Sequence, residues 1–286
     1  MYLGGQGVGE ACDRLLYGEA NPSGRLAETF PYRLEDNPSY LHFPGNGKRV
    51  LYGEDIFVGY RYYDTKKVLV RYAFGHGLSY TEFAYGDLNL SSAQMTDEDI
   101  LTVSFKVKNT GKTEGKEVVQ LYVADLCGIS ERPVKELKGF AKVHLLPGEE
   151  KTVSMEISAR DFSYYEERLG DWYAPSGTYR ILIGHASDDI RLHADIVFET
   201  QKELPFRVDF TTTFGELLDH TKTAPVITEL LAPLAAAAAS AEGMSDEYKK
   251  LGEQVIREMP MKSLLGQMPG EQVEQLIGQL NCLLAQ

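Results

Sequence analysis

Alternation of apolar and polar side chains over residues 101–108 constrains the fold of this chain more than any other feature. Apolar residues stand at every second position, and Thr, Ser and Lys fill the positions between them. Successive side chains on a strand point to opposite faces, so this pattern predicts a strand with one buried face. Further strands are predicted over residues 118–123, 136–145, 152–157 and 178–183.

Turn signals separate these strands. The tripeptides NTG, LPG and PSG, which begin at residues 109, 146 and 175, are typical of chain reversals. Short strands joined in this way indicate a β-sandwich of immunoglobulin or fibronectin type III, which we assign to residues 85–200. Tyr179 follows the third turn, where it either forms a tyrosine corner or packs as an ordinary core tyrosine.

Residues 1–84 differ from the sandwich because glycine, proline and asparagine interrupt them repeatedly. One helix is predicted at residues 8–16, between a glycine-rich start and the pair Tyr17-Gly18. A single helix with many turns cannot bury its apolar face without neighbouring elements. We therefore interpret this segment as part of a larger domain.

Residues 211–286 are predicted to be helical. Thr213 and Glu216 fit a capping box, in which a hydroxyl and a carboxylate satisfy amides at the start of a helix. Short amphipathic helices seldom persist alone in water, so we expect this tail to fold as a small bundle or to pack on the sandwich. Apolar residues recur at helical spacing in two stripes, the first comprising Tyr248, Leu251, Val255 and Met259, the second Val273, Leu276, Ile277, Leu280 and Leu284.

Composition excludes several classes of partner. The chain carries 42 acidic and 29 basic residues, a formal charge of −13, which argues against binding nucleic acid or an anionic membrane surface. The three cysteines are far apart and lack metal or redox spacing, so we expect no disulfides. No apolar run is long enough for a membrane span, and no signal peptide is visible. These features favour a cytoplasmic location.

The stretch YGEDIFVGYRYYD, residues 52–64, is the candidate catalytic segment because it combines neighbouring carboxylates with four tyrosines. Glycosidic bond hydrolysis uses two carboxyl groups across the bond, about 5 to 5.5 Å apart in retaining enzymes. Glu54 and Asp55 are adjacent, so on an extended backbone they would point to opposite faces. Arg61 would keep a neighbouring carboxylate ionised, which suits a salt bridge better than a proton donor. We favour structural support of a neighbouring domain over substrate contact or catalysis.

The tyrosines of this stretch leave two interpretations open. Their rings either bury area at an interface while the hydroxyls find partners, or stack on a sugar. Burial at an interface is the stronger interpretation for the set, which comprises Tyr52, Tyr60, Tyr62 and Tyr63.

Other kinds of site receive little support. His76, between two glycines, is the histidine of most interest, and we interpret it as a loop histidine bonded to backbone. The glycines before the first helix lack both the P-loop and the dinucleotide spacing, so no cofactor is predicted. The histidines lack ligand spacing, and no metal site is predicted among them: His42, His76, His144, His185, His193 and His220.

Three ordered motifs resemble the C-terminal half of β-glucosidase-type enzymes of glycoside hydrolase family 3. GGQGVGEACDRLLYGEANPSGRLAETFP, at residues 4–31, is similar to the family's G-G-Q, helix and N-P-S-G-R-L turn. YGEDIFVGYRYYD is similar to its Y-x-E-G-I-F-V-G-Y-R-Y-Y-D segment, except that Asp55 replaces the usual glycine. YAFGHGLSYTEFAY, at residues 72–85, is similar to its F-G-H-G-L-S-Y-T motif. Residues 109–148 resemble the fibronectin type III-like domain of many members, and the tail resembles an extension of some bacterial ones.

This resemblance implies a fold and an activity. Residues 1–84 would be the end of an α/β sandwich domain, residues 85–200 the fibronectin-like domain and residues 211–286 a helical extension. The family hydrolyses O-glycosyl bonds with retention, acting on β-linked oligosaccharides or aryl and alkyl glucosides. Its aspartate nucleophile and glutamate acid/base precede the G-G-Q motif, so we expect this chain to begin after both. We therefore assign no catalytic, cofactor-binding or metal-binding residue.

The same resemblance predicts which apolar groups lack their neighbours. Without the preceding strands of the α/β domain, side chains of residues 1–84 should be exposed, among them Leu15, Leu16, Phe30, Phe43, Phe57 and Phe74.

Two functions remain open: a part of a β-glucosidase-like hydrolase that is inactive alone, or a β-sandwich module for carbohydrate or protein contacts.

Overall fold

The structure is a computed structural model that describes residues 2, 4–128, 132–239 and 246–285. The chain divides into two compact units, Met1–Glu203 and Leu204–Gln286. The predicted fold class is confirmed. The first unit contains a loop-rich α/β segment and a β-sandwich, and the second unit is helical.

The loop-rich segment begins with helix α1, Val8–Leu16, at the predicted position. It continues through strand β1 (Phe30–Pro31), a 3-10 turn at Leu34–Asp36, helix α2 (Tyr60–Lys66) and strand β2 (Val70–Tyr72), which pairs antiparallel with β1. Helix α2 was not predicted. The candidate catalytic segment, residues 52–64, is therefore helical from Tyr60 onward.

Over its described residues, the sandwich contains two sheets and a hairpin. Its strands are β3 (Phe83–Leu90), β4 (Gln94–Thr96), β5 (Ile100–Asn109), β6 (Gly115–Asp125), β7 (Glu136–Leu145), β8 (Glu150–Ser158), β9 (Tyr164–Glu166), β10 (Asp171–Tyr173), β11 (Gly177–Ala186) and β12 (Asp189–Glu199). One sheet has the order β4-β12-β11-β6-β7 and the other β3-β5-β8, while β9 pairs with β10. A one-turn helix, α3 (Ala159–Phe162), follows β8.

The sandwich core lies between the two sheets. The predicted alternation on β5 is observed, since Leu101, Val103, Phe105 and Val107 are buried and the side chains between them are not. They meet the inward-facing residues of β6 and β11, such as Leu121 and Ile181. Burial of these apolar side chains is the main stabilising contribution to this part of the fold.

Tyr179 forms a tyrosine corner, one of the two alternatives that the sequence left open. Its ring is fully buried, and its hydroxyl donates to the carbonyl oxygen of Pro175 at 3.0 Å. The hydroxyl therefore fixes the turn before β11, and the ring packs edge-on against Phe162 and Phe198 in the core.

The tail has its own apolar core. It contains helices α4 (Phe214–Asp219), α5 (Ala224–Ala239), α6 (Asp246–Glu258) and α7 (Gly270–Leu284), with a 3-10 helix at Met261–Gly266. The predicted capping box is present, because the Thr213 hydroxyl accepts from the Glu216 amide at 3.2 Å and the Glu216 carboxylate accepts from the Thr213 amide at 2.7 Å. The helices share this core, which agrees with the small bundle, the first of the two alternatives expected for the tail.

The two predicted apolar stripes have different outcomes. The stripe on α7 packs into the tail core, where Val273 and Leu280 are fully buried. The stripe on α6 does not, since Tyr248, Leu251 and Val255 are 65%, 56% and 55% exposed. Helix α6 instead contributes Ile256 to the core, together with Met259 just beyond its end. Of the first stripe, only Met259 therefore packs against the tail core.

The exposure expected in residues 1–84 is observed in part. Leu16, Phe30 and Phe43 are exposed, whereas Leu15, Phe57 and Phe74 are half-buried. The three cysteines, all at described positions, form no disulfide. Within the described ranges, none of the helices combines the length and the apolar character needed to cross a bilayer.

Candidate functional site

Glu54 and Asp55 lie in a turn rather than on an extended backbone. The carbonyl of Tyr52 accepts from the Asp55 amide, and the carbonyl of Glu54 accepts from the Phe57 amide. Asp55 is exposed and has a φ of +49°, in the left-handed region where glycine is favoured. This conformation explains why glycine is usual at the matching position of the resembled motif. The expectation of an extended pair on opposite faces was wrong.

Helix α2, which follows this turn, is joined to the sandwich by salt bridges. Arg61 lies 3.0 Å from Glu136 at the start of β7, and Asp64 lies 2.7 Å from Lys135. Asp64 and Lys135 are largely buried, with 17% and 13% of their side chains exposed, so this pair is shielded from solvent more than a surface pair. Arg61 therefore pairs with the sandwich and not with the neighbouring Glu54 or Asp55.

Glu136 is the centre of a wider ion-pair network. Its carboxylate also lies 3.1 Å from Arg132 and 3.6 Å from Lys138. Burial alone would raise the pKa of Glu136, but Lys138, Arg61 and Arg132 together hold that pKa below its usual value. Burial lowers the pKa of Lys138, and the carboxylate of Glu136 opposes that shift. Glu136 is thus an ionised anchor for three cations.

The tyrosines of the segment serve mainly to attach it. The Tyr60 hydroxyl accepts from the backbone amide of Leu137 at 2.7 Å, and its ring packs against Tyr122 of β6 at 5.9 Å between centroids. Tyr63 is buried, and its ring meets Tyr62 edge-on at 5.3 Å. Tyr52 is 79% exposed. The interpretation of interface burial therefore fits Tyr60 and Tyr63 and does not fit Tyr52.

A second anchor joins the N-P-S-G-R-L turn to the sandwich. Glu117 of β6 is fully buried, and its carboxylate accepts from Arg25 at 2.7 Å and from the Tyr85 hydroxyl at 2.8 Å. Nδ1 of His185 lies 2.7 Å from the same carboxylate. Burial and the neighbouring Glu117 raise the pKa of Tyr85, which keeps its hydroxyl protonated as a donor. We name these four residues, Arg25, Tyr85, Glu117 and His185, the Glu117 cluster.

The G-H-G motif packs beside this cluster. Gly75 has a φ of +84°, and a Cβ there would lie 2.3 Å from the Gln120 side chain, so only glycine fits. Gln120 donates to the carbonyl of His185 at 2.6 Å. His76 is held through its backbone, which bonds to Leu26 and Ala73, and its ring packs on Tyr72 at 5.1 Å. His76 thus lies in a loop, and its bonds to backbone are made by its own main chain.

Asn21 extends the second anchor. Its side chain accepts from the Ser79 hydroxyl at 3.0 Å and the Tyr80 amide at 2.9 Å, and donates to the Glu114 carbonyl at 2.8 Å. One amide therefore joins three segments of the chain.

Sequence reasoning did not single out Glu117, although a signal for it existed. Glu117 stands in the same phase of β6 as Val119, Leu121 and Val123, whose side chains enter the sandwich core. A carboxylate in the inward phase of a buried strand requires partners, because burying an unpaired charge is costly. Its partners, distant in sequence, carried no local signal.

The described residues contain no group of three or more His, Cys, Asp or Glu side chains arranged to hold a metal ion. Two of the histidines contact glutamates instead. His185 belongs to the Glu117 cluster, and His144 contacts Glu114 at 3.4 Å.

Comparison with known proteins places both parts of the first unit. Residues 1–80 match the model of the glycosyl hydrolase family 3 C-terminal domain, and residues 117–187 match the fibronectin type III-like domain. Thermostable β-glucosidase B of Acetivibrio thermocellus is 44% identical over 284 residues, which cover 98% of this chain and 37% of that protein. The β-glucosidase of Kluyveromyces marxianus is 47% identical over 71% of this chain and 24% of its own length.

Solved structures agree with these matches. The crystal structure of a family 3 β-glucosidase from Bifidobacterium adolescentis has a TM-score of 0.69 at 37% identity, covering 78% of this chain and 32% of that one. β-Glucosidase 3B of Thermotoga neapolitana, solved in complex with glucose, has a TM-score of 0.62 at 42% identity, covering 68% of this chain and 27% of that one.

The fold and the two matched family models define the class of protein: a glycosidase C-terminal domain followed by a fibronectin type III-like domain. The chain belongs to glycoside hydrolase family 3 and corresponds to the C-terminal part of its β-glucosidases. It spans 37% or less of the length of the relatives described above.

Proposed function

We propose that this chain is the part of a retaining family 3 β-glucosidase-like enzyme that supports the catalytic domains and supplies none of the catalytic carboxylates. The observation that carries this proposal is the attachment of residues 60–66 to the sandwich. Arg61 and Asp64 each form a salt bridge with β7 or the residue before it, while Asp55 of the adjacent pair points into solvent on a strained turn. The salt bridges therefore attach this segment to the sandwich, which suits a structural role.

The exposed apolar surface of residues 1–84 supports the same proposal. Several large side chains of this segment are more than two-thirds exposed, namely Leu16, Leu34, Leu41, Phe43, Leu69 and Leu78. Many large exposed apolar side chains concentrated in one segment favour an interface. We assign it to the preceding part of the family 3 fold, and we retain the domain boundaries 1–84, 85–200 and 211–286. The substrate would be a β-linked oligosaccharide or an aryl or alkyl glucoside, bound by the whole enzyme.

A chimera tests this proposal. The matched C-terminal region of the Acetivibrio thermocellus enzyme would be replaced by this chain, which is 44% identical to it. We expect the chimera to hydrolyse an aryl β-glucoside, and the variant with Glu54→Gln and Asp55→Asn to keep kcat within about threefold, because neither carboxylate takes part in the reaction. A loss of about 10⁴-fold or more in kcat would identify a catalytic carboxylate in this chain and contradict the proposal.

Carbohydrate binding by the sandwich is a second candidate function. The β9–β10 hairpin presents Tyr165 and Trp172, which are 53% and 38% exposed and pack edge-on at 5.7 Å. Aromatic rings at a surface can stack on a sugar. Trp172 is the single tryptophan of the chain, so its fluorescence reports binding directly. No fluorescence change and no heat with millimolar cellobiose would count against this function.

A further inference from the structure

The second unit, Leu204–Gln286, contains an open pocket that the proposed function does not use. Its volume is about 430 Å³, within the usual range for small-molecule sites. Three parts of the tail form it: the chain before α4, the turn between α4 and α5, and the C-terminal end of α7. The lining residues that matter here are Phe206, Arg207, His220, Lys222, Asn281 and Leu284.

One wall of the pocket is apolar and fixed by the tail core. The rings of Phe206 and His220 stack at 4.8 Å with an angle of 13° between their planes. Phe206 and Leu284 both pack against the buried core of the tail. Asn281 holds the chain beside Phe206, because its side chain bonds to the amide and the carbonyl of Val208 at 2.9 and 2.8 Å. The wall is therefore present before any ligand arrives.

The polar side of the pocket is basic. Arg207, His220 and Lys222 line it, and none of its described lining residues is Asp or Glu. This is notable in a chain with 42 acidic and 29 basic residues. The Lys222 ammonium donates to the carbonyl of Leu284 at 3.3 Å, which holds its charge at the rim without neutralising it. Nδ1 of His220 accepts from the Lys222 amide, so Nε2 is left to carry the ring proton.

We propose that this pocket binds a small organic anion that carries an aromatic ring. The anionic group would be met by Arg207 and Lys222, and the ring would lie against Phe206 and Leu284. Charge complementarity selects the anion, and the preformed apolar wall selects the ring. A phosphate and a carboxylate share this chemistry.

Calorimetric titration of the full chain with three probes separates the need for a negative charge from the need for a ring, and a fourth probe, benzoate, replaces the phosphate by a carboxylate. Phenyl phosphate supplies ring and charge, inorganic phosphate supplies charge alone, and phenyl β-D-glucoside supplies a ring without charge. We expect phenyl phosphate to bind at least about tenfold more tightly than either of the others, and benzoate to bind within about tenfold of phenyl phosphate.

Variants locate the site. Arg207→Gln and Lys222→Gln should each weaken binding of phenyl phosphate by about tenfold, whereas Lys262→Gln, on the tail but outside the pocket, should leave it unchanged. Because Lys222 also bonds to α7, Arg207→Gln decides the matter if Lys222→Gln does not fold. The proposal is overturned if phenyl phosphate shows no binding at about 10 mM, if the neutral glucoside binds equally well, or if Lys262→Gln weakens binding as much as Arg207→Gln.

Discussion

Nη2 of Arg25 lies 2.7 Å from Oε2 of Glu117, and both side chains are buried, with 8% and 0% exposed. This pair joins the N-P-S-G-R-L turn to strand β6 of the sandwich across 92 positions of sequence. Together with helix α2 on β7, it makes residues 1–84 and the sandwich one compact unit. The regions that the two family models match are thus connected through the side chains of Arg25 and Glu117.

Glu117→Gln should destabilise this unit strongly. The variant leaves the buried charge of Arg25 without its carboxylate, which costs about 3 kcal/mol or more in free energy of unfolding. Denaturant titration followed by circular dichroism measures the loss. Asp195→Asn, which breaks the exposed pair of Arg180 and Asp195, is the matched control and should change stability far less. Equal effects of the two variants would show that the Glu117 cluster is not an anchor.

Asp55→Gly should stabilise the chain. Asp55 holds a φ of +49°, and the left-handed conformation costs an L-residue about 1 kcal/mol that glycine does not lose. The control is Asp55→Ala, which removes the same carboxylate and keeps the strain. The midpoint temperature of thermal unfolding should therefore rise for the glycine variant and not for the alanine variant. A rise in both would mean that the carboxylate, and not the backbone, is unfavourable.

Glu166 should titrate far below an ordinary glutamate. Hydrogen bonds from the Arg168 guanidinium, at 2.8 and 3.0 Å, lower its pKa from 4.5 to about 2, although burial acts in the opposite direction. Because the folded-state pKa is depressed, the stabilisation is fully present above about pH 4.5 and is lost as the pH falls toward about 2.

NMR titration of the Glu166 side-chain carboxyl carbon measures this directly. The midpoint should lie near 2, and the difference in unfolding free energy between the parent chain and Glu166→Gln should shrink over the same interval. A midpoint near 4.5 would show that the Arg168 contact does not persist in solution.

Tyr179→Phe should lower the free energy of unfolding by about 1 kcal/mol, because it removes the hydroxyl that donates to Pro175 and leaves the ring in place. Tyr17→Phe is the control, since Tyr17 is 81% exposed. If both variants are as stable as the parent, the corner contributes nothing to stability.

Much of the fold was accessible from the sequence where local signals were strong. The bounds of α1 and β7 agree with the prediction, because glycines flank α1 and a Pro-Gly turn follows β7. Helix α2 was missed because it has 7 residues, three of them tyrosine, and depends on tertiary contacts with β7 rather than on helical periodicity.

The candidate site was accessible only in part. The type of role predicted for residues 52–64, attachment to a neighbouring domain, agrees with the contacts of Tyr60, Arg61 and Asp64. Their partners lie about 70 or more positions away in sequence, where no local pattern identifies them. The exposed stripe on α6 shows a second limit of sequence reasoning. Helical periodicity predicts that a helix has an apolar face, but it does not predict which residues cover that face.

Hydrolysis of 4-nitrophenyl β-D-glucoside by the purified chain alone tests the central claim most directly. If this region supports catalysis without supplying the reacting carboxylates, release of nitrophenol should not exceed the uncatalysed rate, while the Acetivibrio thermocellus relative assayed beside it at equal concentration is active. Turnover by the chain alone that Glu54→Gln or Asp55→Asn abolishes would contradict the account.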